Sequence, residues 1–340
     1  MCRGQPASLR RFSEIYKPPR KLSLTRRVLL CAILRILNQK AQPRCIHGVV
    51  LAHCMLVFLF RLISFLPLPL LHALGVVVGW ASYLGSPHYR KHLQANIKQA
   101  GFEEHLHAAI GEAGKNILEL PFIWCAKPAR VLRTVQVKNW EVVEEACAAG
   151  KGIVFLTPHL GCFEVSAQLA ASRLPLTVLY RPPKRSALKP LIEDARARYN
   201  LALAPANLSG VRSLFKVLKR NGVIGLLPDQ VPKNGEGVWA DFFGRPAYTM
   251  TLPGKLVQMT EAAIILAFAE RLPHGRGYQL HLSSFELPPE LSAEQQARTI
   301  NQAMEGLIAR CPAQYFWSYN HYKKPSGAPL PPTARTGTPS

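Results

Sequence analysis

The stretch GIVFLTPHLGCFEVSAQLAAS, residues 152–172, decides the fold. Gly152 to Thr157 is a short apolar, β-branched run that predicts a buried strand, and Phe163 to Ser172 predicts the helix that follows it. The same alternation continues downstream. Leu176 to Arg181 predicts the next strand and Ala187 to Tyr199 a helix. A helix from Val211 to Arg220 leads through Asn221-Gly222 into a strand from Val223 to Leu227. Ala263 to Glu270 and Tyr278 to Phe285 complete the strands, and Ala293 to Arg310 is the last long helix. Strands separated by helical segments imply right-handed crossovers, so the fold class is α/β, with a largely parallel sheet flanked by helices.

A chain of 340 residues buries a sizeable core without disulfide or metal staples. With 48% hydrophobic and 18% charged residues it is too apolar for intrinsic disorder and too polar for a multi-span membrane protein. The formal charge is +22, which calls for an anionic partner or surface: nucleic acid, acidic lipid headgroups or a phosphorylated substrate. Eleven of the Lys and Arg residues, against Glu14 alone, fall within residues 1–45. The eight cysteines are scattered without CxxC pairs, which argues against a disulfide framework or a zinc ribbon and for a reducing compartment.

Residues 1–45 form a basic extension, with disorder or an amphipathic surface helix at Val28 to Leu37 both open. Residues 46–110 are different. From Val49 through Ala81 apolar residues dominate, Arg61 alone carries a fixed charge, and Pro67 and Pro69 divide the stretch in two. A bilayer core needs about 20 apolar residues as helix, which neither half supplies cleanly. The stretch therefore predicts a membrane-docking helical hairpin or one imperfect span bent at the prolines, set against a buried helix pair as the alternative. Basic flanks at Arg44, Arg90, Lys91 and Lys98 suit an anionic lipid surface and a cytoplasmic body. Residues 111–324 are expected to form the main domain, which holds the alternating strands and helices. Five prolines within residues 325–340 predict a disordered tail.

In a sheet of this kind ligands bind beyond the carboxyl ends of the strands. Thr157-Pro158-His159-Leu160-Gly161-Cys162-Phe163-Glu164 stands after the first strand, Tyr180-Arg181-Pro182-Pro183-Lys184-Arg185 after the second, and Pro228-Asp229-Gln230 after the third. A histidine, two carboxylates and a basic cluster thus converge on one rim. His159 and Glu164, five residues apart, would point about 140° apart on one ideal helix. If His159 lies in the loop and Glu164 in the first helical turn, they can meet, and the carboxylate would fix the ring's tautomer and leave the other nitrogen free to take a proton. A loop histidine beside a glutamate that merely complements the helix dipole is the equally weighted alternative. His88 and His92 lack acidic neighbours, so no metal site is expected, and no glycine-rich phosphate loop is present.

HLGCFE, His159 to Glu164, resembles the H-x4-D/E signature of the lysophospholipid acyltransferase superfamily, and its terminal glutamate resembles the lipid A late acyltransferases, the lauroyl and myristoyl transferases of Gram-negative bacteria. Tyr180-Arg181-Pro182, Leu227 to Gln230, GVWADFFGRPAYT at Gly237 to Thr249, and the aromatic and basic block from Gln314 to Lys323 are similar to later blocks of that family, in order. Asp241 departs from the family pattern, as does Tyr319-Asn320-His321, which stands where arginines are usual. The resemblance covers roughly residues 55–324. It implies a glycerol-3-phosphate acyltransferase-like fold and transfer of a fatty acyl group from an acyl carrier protein thioester to a hydroxyl of a lipid A precursor, on the cytoplasmic side of the bacterial inner membrane. His159 would be the general base, oriented by Glu164, with no acyl-enzyme. Backbone N–H groups around Gly161 to Phe163, or Arg181, would stabilise the oxyanion. Arg181, Lys184 and Arg185 would hold acceptor phosphates, Asp229 would anchor Arg181 or touch the acceptor, and Trp239, Phe242 and Phe243 would line an acyl channel or belong to the core. The expected partners are acyl carrier protein, a lipid A precursor or related anionic lipid, and the membrane surface, with no nucleic acid, cofactor or metal.

Other readings are a lysophospholipid or other glycolipid acyltransferase with the same dyad, a non-enzymatic basic membrane-binding protein, and a thioesterase. Cys162, three residues from His159, offers a nucleophilic alternative through a thioester intermediate.

Overall fold

The structure, a computed structural model, describes residues 55–181, 189–233 and 235–332. Residues 55–63 are helical, and a turn ending at Pro67 leads into α1 (Leu68–Gly85), which carries Pro69 in its first turn, so the bend falls at the expected proline pair. There follow α2 (Pro87–Gln99), α3 (Leu106–Leu118), α4 (Leu120–Cys125), α5 (Pro128–Leu132), β1 (Val135–Lys138), α6 (Glu141–Ala148), β2 (Ile153–Leu156), α7 (Phe163–Arg173) and β3 (Leu176–Tyr180). The second half comprises α8 (Lys189–Arg196), β4 (Leu201–Pro205), α9 (Leu208–Leu218), β5 (Val223–Leu226), β6 (Gly237–Phe242), β7 (Arg245–Met250), α10 (Leu252–Thr260), β8 (Ala263–Arg271), β9 (Tyr278–Phe285) and α11 (Ala293–Arg310).

Seven strands form one sheet in the order β1-β9-β8-β2-β5-β3-β4. All neighbouring pairs are parallel except β8 with β9. The α/β class with a largely parallel, helix-flanked sheet therefore holds. β2 and β5 are buried at every position because both faces are covered. Ile153 and Phe155 pack on one face with Val165 and Leu169 of α7. Val154 and Leu156 pack on the other with Ile300 and Met304 of α11. α11 spans the residues expected of it because Ser292 and Gln295 close a reciprocal capping box at its start.

Three elements were not anticipated as such. β1 and β4 are short strands at the sheet edges, and the aromatic segment 237–250 folds as the separate hairpin of β6 and β7. Phe243 and Gly244, both at positive φ, form its two-residue turn. The proline-rich tail also differs from expectation in its first half. The Pro329 carbonyl accepts from Trp239 Nε1 at 3.1 Å, and Ala328 is buried. The basic extension 1–45, with its Val28 to Leu37 segment, lies outside the described residues, as do residues 333–340.

α1 is the one helix among the described residues long and apolar enough to cross a membrane, and a third of it is buried. Glycines bring it close to α3: a Cβ on Gly79 would stand 2.1 Å from the Ile110 carbonyl oxygen, and one on Gly114 1.9 Å from that of Gly75. Its other side leaves Leu70, Leu74, Val77 and Leu84 exposed, next to exposed Phe58, Leu62 and Phe65.

Candidate active site

β2 has neighbours on both sides, β8 and β5, and the chain that leaves it departs towards β3 and β4, so a crevice opens beyond its carboxyl end. The loop from Thr157 to Cys162 is laced into this edge. Thr157 N–H donates to the Leu226 carbonyl, Gly161 N–H to that of Gln314, and Cys162 N–H to that of Ala269, while the His159 carbonyl accepts from Phe316 N–H. Gly161 sits at φ +58°, and a Cβ there would stand 2.0 Å from the Ala269 carbonyl oxygen. Gly161→Ala is therefore expected to lower the stability of the protein by about 1–3 kcal/mol or more, read from the urea midpoint.

The loop holds the His159 ring against Asp229, which follows β5. Nδ1 lies 2.8 Å from Asp229 Oδ1, and the His159 backbone N–H donates to Oδ2, also at 2.8 Å. The Tyr315 hydroxyl donates to Oδ2 at 3.1 Å. Burial would push the Asp229 carboxyl up, but the His159 ring and the two hydrogen bonds from His159 outweigh it and hold the group below the ordinary range. An ionised Asp229 requires the proton on Nδ1. Nε2 then carries the lone pair, and it faces the Gln230 amide nitrogen at 3.1 Å. Burial also pushes His321 down to about 4, so its ring is neutral at pH 7 and its Nδ1–H donates to the Asp229 carbonyl at 3.0 Å. The closing block thus supports Asp229 rather than facing a substrate.

Glu164 stands in the first turn of α7, as the sequence predicts, but it is not the carboxylate that holds His159. Its Oε2 accepts from Trp124 Nε1 at 3.1 Å and Arg196 Nε at 3.3 Å, and Arg196 Nη2 bonds Oε1. The helix turn aims the side chain at α4 and α8, where the partly exposed Arg196 guanidinium pairs with the buried carboxylate. Asp229 neither anchors Arg181 nor stands free for an acceptor, since both its oxygens are engaged at His159 and Tyr315. The Gly161 and Cys162 N–H groups are taken by carbonyls, which removes them as oxyanion donors and leaves Phe163 N–H, at the start of α7, from that group. Lys184 and Arg185 lie outside the described residues.

His159, Glu164, Arg181, Arg196 and Gln230 all line one cavity of about 680 Å³. Lys233 and Lys255 add positive charge to its wall, and its deeper part is apolar, bounded by Phe155, Leu176, Leu280 and Leu282. Trp239, Phe242 and Phe243 do not line it. Phe242 is buried in the opposite core, Phe243 packs on Phe102 and Trp317, and Trp239 packs on Tyr248 within the hairpin. Of the two readings, these aromatics belong to packing. Cys162 is also absent from the lining. It is fully buried, which pushes its thiol well up, with Glu119 adding to the rise.

Behind the loop lies a buried polar cluster that sequence reasoning missed. Arg271 at the end of β8 donates to both oxygens of Glu119, at 2.9 and 2.6 Å, and to the Gly161 carbonyl at 2.9 Å. Tyr278 donates to Glu119 at 3.0 Å, and His72 of α1 approaches the same carboxylate at 3.4 Å. A lone arginine at the end of an apolar strand carries no sequence signal of a partner 152 residues away.

A carboxylate-oriented histidine at the carboxyl edge of a mostly parallel sheet, above a cavity with a basic mouth and an apolar depth, defines an α/β enzyme built for an amphiphilic substrate. Residues 39–324 match the family described as bacterial lipid A biosynthesis acyltransferase, and the chain belongs to that family. It is 27% identical over 223 residues to a lipid A biosynthesis lauroyltransferase of Escherichia coli, covering 64% of this chain and 71% of the relative. It is 23% identical over 238 residues to a lipid A biosynthesis palmitoleoyltransferase of the same organism, covering 69% and 77%. A lipid A biosynthesis acyltransferase of Haemophilus influenzae is 27% identical over 184 residues, 52% of this chain and 55% of the relative.

Proposed function

We propose that this acyltransferase moves a fatty acyl chain from an acyl carrier protein thioester to a hydroxyl of a lipid A precursor, with His159 as general base and Asp229 as the carboxylate that orients it. The observation that carries the reading is the 2.8 Å contact of His159 Nδ1 with buried Asp229. It fixes the tautomer in which Nε2 accepts a proton. The acceptor hydroxyl displaces the Gln230 amide from Nε2 and gives up its proton there as its oxygen adds to the thioester carbonyl. The C–S bond then breaks, and the imidazolium returns the proton to the leaving thiolate. Buried Cys162 argues for this direct transfer over an acyl-enzyme.

Glu164 holds Arg196 in the cavity wall, where its guanidinium, with Arg181, Lys233 and Lys255, suits acceptor phosphates and the charge growing on the carbonyl oxygen. The exposed apolar side of α1 and of residues 55–63 suits docking on the cytoplasmic face of the inner membrane.

Two variants test the assignment in acyl transfer to a tetraacylated lipid A precursor, with lysophosphatidate as the competing acceptor. Asp229→Asn can present an amide N–H to the ring and favour the wrong tautomer, so kcat is expected to fall by about 10³–10⁴-fold. Glu164→Gln leaves the His159 pair intact and is expected to act mainly on KM through the loosened Arg196. Equal losses of kcat in the two variants, or an active Asp229→Asn enzyme, would overturn the role given to Asp229. Preference for lysophosphatidate would overturn the acceptor.

A further inference from the structure

The cavity lining follows a path that the sheet registers measure. Leu176 of β3 pairs with Val223 of β5, which pairs with Ile153 of β2, so Leu176 stands level with the start of β2. Four strand residues, about 13 Å, separate that level from Thr157, where the loop bearing His159 begins. α7 runs back over the same distance, about 15 Å from Phe163 to Arg173. It turns Phe163, Ala167 and Ala170 to the cavity, spaced i, i+4 and i+7 along one stripe, and the two alanines leave room beneath the helix. In the other direction the lining crosses β8 and β9 through Ala267, Leu280 and Leu282 to Trp140, which follows β1, three strand spacings or about 14 Å from β2. The guanidinium of Arg173, the last residue of α7, lies 4.4 Å from the centre of its ring and holds the indole in place.

We infer that the deep arm of the cavity receives the alkyl chain of the acyl group and that Trp140, clamped by Arg173, is the stop that sets the longest chain accepted. The inference rests on the acyl-transfer reading above. With the thioester carbonyl at His159, the chain runs beneath α7 along Phe155 and Leu282 until its methyl end meets the indole. Apolar pockets of this kind discriminate single methylenes by about 10–200-fold.

The test is competition among acyl carrier protein thioesters of graded saturated chain length, with the products weighed by mass spectrometry. Trp140→Ala is expected to raise relative kcat/KM for donors longer than the wild-type optimum by about 10-fold or more. Arg173→Met, which frees the indole, is expected to give a smaller shift the same way. Ala170→Leu is expected to move the optimum to shorter chains. If Trp140→Ala fails to fold, as read by its unfolding midpoint, Ala170→Leu decides alone. An unchanged chain-length profile in folded, active variants overturns the gauge and leaves acyl transfer standing. A wild-type protein that transfers no acyl group from any donor overturns the functional reading itself.

Discussion

Replacing His159 by alanine is expected to lower kcat by roughly 10²–10⁴-fold, the range that a positioned general base supplies. The side chain is about one-sixth exposed and its removal opens no deep cavity, but it leaves buried Asp229 Oδ1 without its donor, so the stability should fall by only about 1–3 kcal/mol, read from the unfolding midpoint. That pairing of a large kinetic loss with a small loss of stability separates a catalytic histidine from one that only packs. The check is single-turnover transfer to the lipid A precursor alongside thermal unfolding. The ring touches Phe163 with centroids 5.0 Å apart, so a modest change in midpoint is compatible with the proposal. Activity within a few-fold of the parent is not.

The largest effect on stability is expected at Arg271. Arg271→Met removes one partner of a fully buried ion pair and leaves Glu119 charged and buried with only Tyr278 and His72 beside it, which costs about 3–5 kcal/mol. The double variant Arg271→Met, Glu119→Leu removes both charges and is expected to recover much of the stability. It should not recover activity, because the Gly161 carbonyl has lost its donor and the loop bearing His159 is released. The pH dependence follows from the same pair. Burial opposes ionisation of Glu119, but Arg271 and His72 outweigh it and bring the carboxyl down to about 2. The folded-state pKa is thus lower than the unfolded one, about 4.3. The contribution of Glu119 is complete above the unfolded value and is lost as the pH falls towards 2. Denaturant midpoints of parent and double variant, measured across that interval, should converge as it is crossed downward.

The cluster also joins the apolar amino-terminal region to the chemistry. His72 belongs to α1, Glu119 follows α3, Tyr278 starts β9, and Arg271 reaches the turn two residues beyond His159. A helix whose outer side is exposed and apolar is therefore tied, through Glu119 and Arg271, to the loop that bears His159.

The site was legible where it was local. His159 falls in a loop and Glu164 in a first helical turn because Pro158 and Gly161 interrupt the chain between strand and helix, which the sequence states openly. The partner of His159 was not legible. Asp229 lies 70 residues further on and meets the ring only because β2 and β5 are neighbours, an order that no periodicity along the chain encodes. Arg196, 32 residues from Glu164, was hidden inside a helix for the same reason. Trp239, Phe242 and Phe243 show the converse. Their apolar character predicts packing, but it does not say which neighbours they pack on, or that Phe242 alone of the three is buried.

The amino-acid order alone determined the alternation of strand and helix around His159, the class of the sheet, the edge at which chemistry gathers and the bend at Pro67 and Pro69, because each depends on residues within a few turns of one another. The tertiary structure alone decided which carboxylate holds the imidazole, where the apolar depth of the cavity lies and which buried cation braces its loop. Those are contacts between segments far apart in the chain, and they follow from strand order and packing.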